Sequence, residues 1–425
     1  MNKYYKKNVS VIIVFSFLLL SFTPMVDSTE IIEFDSSEEI IELALLRGEY
    51  YLYINASENV GLFNIRYAFP PELKYQLPLI IEIFNDTTAD ILNYKIENDT
   101  NEPNKFANFT IGPMNKDESA LVHFSYYVLD KNQDYSDLPR KVKIPKKDDI
   151  PPEVRKWLTS TNVVQKNRIL IRIRARQMKI LTNNVLRIAR RIALFCRLHR
   201  YPVFLLQYII GSYRSQDAFT TLLINGECPG RSHLGCALFR ANKIPARVIL
   251  ANPDYIFWYE MHFMTEYYLP DYGWILTEVH KGITPYEPKN QIILRVCYPE
   301  DENNTQDDFI YGKMKGLEKW IWIDNEFVTP YYKDLVEGSK IKMFREKELF
   351  TDKAPGEDAV NITKIVFDKY EYFLGMNLTG DNLGHFENAT DYQFQAINDL
   401  KNSDDVSGYI SYLNKANNEY NEIVI

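Results

Sequence analysis

A charged, proline-rich run at 131–153, KNQDYSDLPRKVKIPKKDDIPPE, separates two stretches whose apolar residues recur with different periods. It has no apolar period of its own and reads as a linker. Before it lie short β-rich runs, EYYLYINA, GLFNIRYAF, LPLIIEIF, ILNYKIEN, ANFTIG and ALVHFSYYVL, broken by Pro, Asn and Asp. That spacing predicts a β-sandwich-like domain over 30–130. Ser36–Gly48 (SSEEIIELALLRG) ahead of them reads as a short capped helix. After the linker, NNVLRIARRIALFCRLHR carries Val185, Ile188, Ala189, Ile192, Leu194 and Phe195 as a helical stripe. Two β-rich runs flank Pro270–Gly273, a hairpin signal, and IILRVCYP is a further strand. Helices and strands thus mix over 154–300, an α+β stretch. An accessory region over 301–425 reads as β-rich and then helical. At 425 residues with 46% hydrophobic content the chain is long enough for two or three domains. Its 14% aromatic content excludes a disordered protein.

The first 29 residues place Lys3, Lys6 and Lys7 before an apolar run from Val9 to Phe22 and a small, polar stretch around Ser28. This is the layout of a secretory signal peptide, with an uncleaved N-terminal anchor as the alternative. The predicted location is therefore secreted or at the cell surface. N-glycosylation sequons at Asn55, Asn85, Asn98, Asn108, Asn303, Asn361, Asn377 and Asn388 fit export and leave 160–300 clear. Only Cys196, Cys228, Cys236 and Cys297 occur, too few for a disulfide scaffold.

Charge is uneven. The chain has a net charge of −8, yet Arg155 to Arg214 contains no Asp or Glu. A basic helix face of this kind could meet nucleic acid, anionic lipid or an acidic substrate. Its plainer reading is a solvated face that balances the acidic remainder.

The chemistry concentrates in INGECPGRSHLGCALFRANKIPARVIL, residues 224–250. Asn225-Gly226 can take positive φ, Pro229 suits a first helical turn, and Leu234, Ala237, Leu238 and Ala241 continue a helix that Pro245 ends. Cys228 falls at the N-cap, where free N–H groups and the helix dipole stabilise a thiolate and could hold an oxyanion. Cys236, two turns further, reads as core. His233 and Cys236 stand at metal spacing, but no further ligands cluster with them. A thiol needs a base: His262 lies in the first hairpin strand and Glu278 in the second, 16 residues later. Pairing Leu269 with Trp274 puts Glu278 opposite residue 265. A one-residue bulge would move it to 264, on the face of His262.

These segments resemble the transglutaminase-like domain of the papain-like cysteine enzymes. Gly226-Glu-Cys228 is followed by an apolar helix and by Arg240-Ala-Asn-Lys-Ile-Pro-Ala-Arg247. The second motif stands as His262-Phe-Met-Thr-Glu266-Tyr-Tyr-Leu-Pro-Asp-Tyr-Gly273-Trp274-Ile-Leu-Thr-Glu278. The resemblance covers about 155–300. It implies a papain-like transglutaminase core with Cys228 as nucleophile, His262 as general base and acid, and Glu278 as the orienting acid. The third position is usually Asp in that family, a Trp stands where this chain has Met264, and an acid commonly fills the place of Gly230 or Arg231. Arg247 and Glu266 are expected to brace the core, and Gly273 and Trp274 to fix the turn.

The implied activity is acyl transfer through a Cys thioester, with hydrolysis of peptide or amide bonds expected. The alternatives are protein-glutamine transamidation, which needs water kept out by a wall such as Phe257, Trp258 and Tyr259 could form, though core packing is their plainer reading, and an inactive cell-surface binding or structural protein. No cofactor or metal is expected. The expected partner is a protein or peptide of the cell surface or cell wall, not nucleic acid, with membrane contact only through an uncleaved N-terminal segment.

Overall fold

The alternating runs before the linker become six strands: β1 (Ile40–Asn55), β2 (Phe63–Phe69), β3 (Gln76–Ile83), β4 (Ile91–Asn98), β5 (Lys105–Ile111) and β6 (Ser119–Lys131). The computed structural model describes residues 40–131, 135–199, 216–252, 262–288, 291–305, 309–310, 313–314, 321–324 and 336–424. The N-terminal segment 1–29 and the aromatic trio Phe257, Trp258 and Tyr259 lie outside the described residues. Residues 40–48, expected to be helical, instead open β1. Leu43, Ala44, Leu45 and Leu46 are all buried, because β1 runs between two neighbouring strands and is covered on both faces. A continuous apolar run suits such a strand as well as it suits a buried helix.

The core that follows contains α1 (Ile169–Met178), α2 (Val185–Arg197), the short α3 (Ala218–Leu223) and α4 (Cys228–Ala241). Its sheet has the order β10-β7-β8-β9, from β7 (Ala246–Ala251), β8 (His262–Leu269), β9 (Gly273–Thr277) and β10 (Ile293–Val296). Helix α4 packs on β7 and β8 on one side and on α1, α2 and α3 on the others. Every residue from Cys228 to Arg240 is buried. A helix apolar on one stripe alone could not occupy this place, and α4 is accordingly rich in Gly, Ala, Leu and Cys.

Beyond the core come the short pair β11 (Phe309–Ile310) and β12 (Lys313–Met314), then β13 (Ile321–Asp324) and β14 (Val336–Asp352). Strand β14 pairs with β1 along its length and β13 pairs with β2, so the sheets are β14-β1-β6-β3 and β13-β2-β5-β4. Hydrogen bonding thus joins 321–352 to the strand-rich N-terminal region across the intervening core. Rings meet between the two sheets, Tyr50 edge-on to Tyr67 at 4.5 Å and Phe109 against Phe124 at 4.9 Å. Helix α5 (Lys353–Phe373) packs on β3, β1 and β14, followed by α6 (Asp381–Asn402) and α7 (Ser407–Glu422).

Buried amides tie these parts together. Gln76 donates to Ile293 O at 2.9 Å and accepts from Ile293 N at 2.7 Å, as a neighbouring strand would. Asn104 treats Val296 in the same way, at 2.9 and 2.7 Å. Both act on β10, the edge of the core sheet. On β3, Gln393 from α6 donates to the carbonyl of Leu79, the residue left unpaired by a bulge. Asn252, at the end of β7, accepts from Tyr50 Oη at 2.7 Å and donates to Tyr126 Oη at 3.1 Å.

The buried end of α4 is held by charge. Arg240 forms an ion pair with Glu302 and donates to the carbonyls of Ala246 at 2.8 Å and Thr159 at 3.2 Å. Both side chains of the pair are fully buried. Removing one partner strands a charge out of water, so Glu302→Leu should cost about 3–5 kcal/mol in denaturant unfolding. The double variant Arg240→Met with Glu302→Leu should recover most of that loss. A double variant no more stable than Glu302→Leu would show that the stranded guanidinium is not the cause.

Candidate active site

The turn before α4 departs from expectation in two respects. Neither Asn225 nor Gly226 has positive φ. Gly226 is needed instead for close approach, since a Cβ there would lie 2.6 Å from Thr221 Oγ1 and 3.2 Å from the backbone of Gly230. The N-cap is Glu227, and Cys228 is the first helical residue with Pro229 after it. The shift of one residue keeps Cys228 within the first turn, where the dipole acts. It changes the supply of donors, however. Pro229 has no N–H, and the N–H of Arg231 already bonds Glu227 O at 2.9 Å. The backbone N–H groups of Cys228 and Gly230 are therefore the ones the first turn can offer an oxyanion.

Strand β8 is pinned to α4 by hydroxyls. Ser232 Oγ donates to Phe263 O at 3.0 Å, and Thr265 Oγ1 donates to Ser232 O at 3.3 Å. This docking sets His262, the first residue of β8, beside Cys228, and the two side chains are hydrogen-bonded. The Phe263 N–H also points at the sulfur. The hairpin supplies the acid without a bulge. Leu269 pairs with Gly273 rather than Trp274, so Thr265 faces Thr277 and the register sets the next residue, Glu278, across from Met264. Asp271 and Gly273, at φ +72° and +82°, make that tighter closure. Glu278 Oε2 lies 2.5 Å from His262 Nε2, which leaves Nδ1 as the ring nitrogen for the thiol. Its other oxygen accepts the backbone N–H of His280 at 2.7 Å.

Two buried groups and the half-buried His262 thus share one electrostatic problem. Burial alone would lower His262, but the Glu278 carboxylate, with Cys228 on the other side, lifts it to about 10. Burial pushes Glu278 up, yet His262 and the His280 N–H hold it below the usual carboxylate range. Burial raises the Cys228 thiol, opposed by His262 and by the Phe263 N–H. Cys236 is pushed further, to about 12, with no exposed surface, whereas Cys228 keeps 7% exposure. All four cysteines are free. Cys196 packs inside α2, and Cys236 touches Thr265.

Two residues at the site were not signalled by spacing. Arg231 is buried and hydrogen-bonded to the ring of His280. Burial pulls its guanidinium down, while Cys228, Glu227 and Glu278 act to keep the charge. His280 is no alternative base, since its N–H holds Glu278 and its ring meets Arg231. Met264 lies in an apolar cluster with Trp157, Ile249 and Leu276, so it packs the core behind the sheet. Arg247 binds Glu266 at 2.6 Å and covers the Trp274 ring at 3.9 Å. His233 is bonded to Gln216 O and Thr305, and among the described residues no group of three or more His, Cys, Asp or Glu could hold a metal.

A thiol at a helix start, an imidazole against it and a carboxylate behind the imidazole form an arrangement suited to acyl transfer through sulfur. Residues 175–279 match the transglutaminase-like superfamily, and this part of the chain is a transglutaminase-like core. Among solved structures, the chain is similar to a candidate cysteine protease from Cytophaga hutchinsonii, at 14% identity and a TM-score of 0.47, over 74% of this chain and 94% of that one. It is also similar to the periplasmic domain of TgpA from Pseudomonas aeruginosa, at 15% identity and a TM-score of 0.26, over 54% of this chain and 92% of that one. No curated protein sequence matches the chain.

Removing the Glu278 charge should lower the titration midpoint of His262 from about 10 by about 1–3 units. NMR of the imidazole in Glu278→Gln tests this, and an unmoved midpoint would refute the coupling. The linked stability has a definite pH window. His262, raised when folded, stabilises fully below its free value of 6.5 and loses that contribution as pH climbs through about 10. Glu278, lowered when folded, contributes above 4.5 and loses it as pH falls through its folded value. The destabilisation by Glu278→Gln should therefore be greatest between about pH 4.5 and 6.5 and shrink toward pH 10.

Proposed function

We propose that this chain is a thiol hydrolase of peptide or amide bonds with Cys228 as nucleophile, His262 as base and acid, and Glu278 as the orienting carboxylate. The observation that carries the reading is the 2.5 Å contact of Glu278 with His262 Nε2, which turns Nδ1 to the thiol. The reactive state is the Cys228 thiolate beside the His262 imidazolium, whose charge is held by Glu278 behind it. The thiolate adds to the substrate carbonyl, and the first turn of α4 faces the resulting oxyanion. His262 protonates the leaving amine, and a thioester remains. Water then gives its proton to His262 and cleaves the thioester, restoring the thiolate and imidazolium.

Water access is compatible with hydrolysis, since 17% of the His262 side chain is open. The substrate is proposed to be a protein or peptide outside the cytoplasm. Support for export comes from the signal-like N-terminus and from exposed sequon asparagines at 85, 98, 303, 361, 377 and 388. Asn108 is buried in β5 and bonded to Glu97, so its sequon is not available in the folded chain.

The test is incubation of the reduced protein with glutamine- and isopeptide-bearing peptides and a labelled amine, beside Cys228→Ala and Cys236→Ala. Cleavage without label, lost on the order of 10³-fold or more in Cys228→Ala and retained in Cys236→Ala, is the expected result. Label incorporation would replace hydrolysis by amine transfer. Cleavage that survives Cys228→Ala would end the proposal.

A further inference from the structure

From Arg155 to Arg214 the sequence holds 14 Lys and Arg and no acid. Within it, α1 and α2 bury one face each and show solvent a mixture of two residue types. On α1, Ile171, Ala175 and Met178 are buried, while Ile169, Arg172, Ile173 and Arg176 are exposed at successive turns. On α2, Arg187, Arg190, Leu194 and Arg197 are exposed, with Leu194 leaving the apolar stripe expected to bury it. Leu198 follows at 77% exposure. Single exposed aliphatic side chains are common on protein surfaces, but here Ile169, Ile173, Ile180, Leu181, Leu194 and Leu198 are all exposed within 169–198, interspersed with Arg.

The connection between the helices sharpens the pattern. Ile180 is 55% exposed and Leu181 is 95% exposed, the latter in the left-handed backbone region at φ +60°. A leucine rarely adopts that conformation and gains nothing by doing so in water. The tip is nonetheless built firmly. Arg191 donates to the carbonyls of Met178 at 3.1 Å and Ile180 at 2.7 Å. Asn184 caps α2 and also receives Val142 N and donates to Arg140 O, drawing the linker against the tip. Three exposed cations of that linker, Arg140, Lys141 and Lys143, so join the patch from outside the acid-free segment.

We propose that this segment, led by Ile180 and Leu181 at the connection between the helices, docks on an anionic lipid membrane, the aliphatic tip entering the interface and the neighbouring Arg and Lys meeting headgroup phosphates. Basic residues around an apolar protrusion combine the two terms of interfacial binding, charge attraction and burial of aliphatic surface. Single-stranded nucleic acid fits less well, because it is gripped by exposed rings, and no Phe, Tyr or Trp is among the exposed large apolar residues of 155–199. The docking surface is distinct from the N-terminal apolar segment. Among the described residues no helix is long and apolar enough to cross a membrane.

The test places an environment-sensitive fluorophore at position 181 of the full chain, as Leu181→Cys in a Cys228→Ala background so that the accessible native thiol is removed. Phosphatidylglycerol–phosphatidylcholine vesicles should raise and blue-shift the emission, and pure phosphatidylcholine vesicles should do so far less. Added salt should weaken the response. Arg187→Gln and Arg190→Gln should each reduce affinity roughly five-fold, and Ile180→Ser should also weaken the response of the label. If the N-terminal segment alone brings the protein to vesicles, the protein will sediment with them while the label stays in water. That result, or an equal response to single-stranded RNA without lipid, overturns the proposal.

Discussion

Enclosing α4 on every side is the constraint from which the rest of the core follows. A helix with no solvent face must have each polar group answered from another element, and α4 carries Arg231, Ser232, His233 and Arg240. Their partners lie far apart in sequence: His280, Phe263, Gln216 with Thr305, and Glu302. Each pairing fixes a different segment against the helix. Together they leave little freedom in where the first turn meets β8, and that junction is where Cys228 and His262 come together.

The same enclosure explains the balance of the site. A thiol, an imidazole and a carboxylate in water would titrate independently. Here all three are desolvated, so each depends on its neighbour for its charge, and Glu278 is held by a backbone N–H as well as by the ring. Arg231 adds a buried cation whose charge interacts with the Cys228 sulfur.

Much of this was legible in the sequence. The strand-rich N-terminal region follows the alternating runs, and α2 and α4 follow their apolar spacing and their Pro and Asn signals. Cys228, His262 and Glu278, singled out by order and distance, lie together. The hairpin register was missed by one residue, because nothing in Leu-Pro-Asp-Tyr-Gly-Trp reveals that Asp271 takes a left-handed conformation and lets Leu269 meet Gly273. The start of β1 resembles a helix in sequence because an apolar run buried on two faces has lost its strand period. Contacts such as Arg231 with His280, or Gln76 with Ile293, join positions with no common local pattern. They exist only once the chain has folded.

The amides that grip β10 have a consequence for what can reach the core sheet. Open edges often bind extended peptides by accepting them as one more strand, with the backbone supplying affinity whatever the side chains are. At Ile293 and Val296 those backbone groups are already occupied by Gln76 and Asn104. An extended chain laid along β10 would have to displace both side chains from the interior before it could form a bond there. A peptide that meets this sheet must therefore do so without strand addition at the β10 edge, and the strand-rich region that supplies the amides acts as its guard.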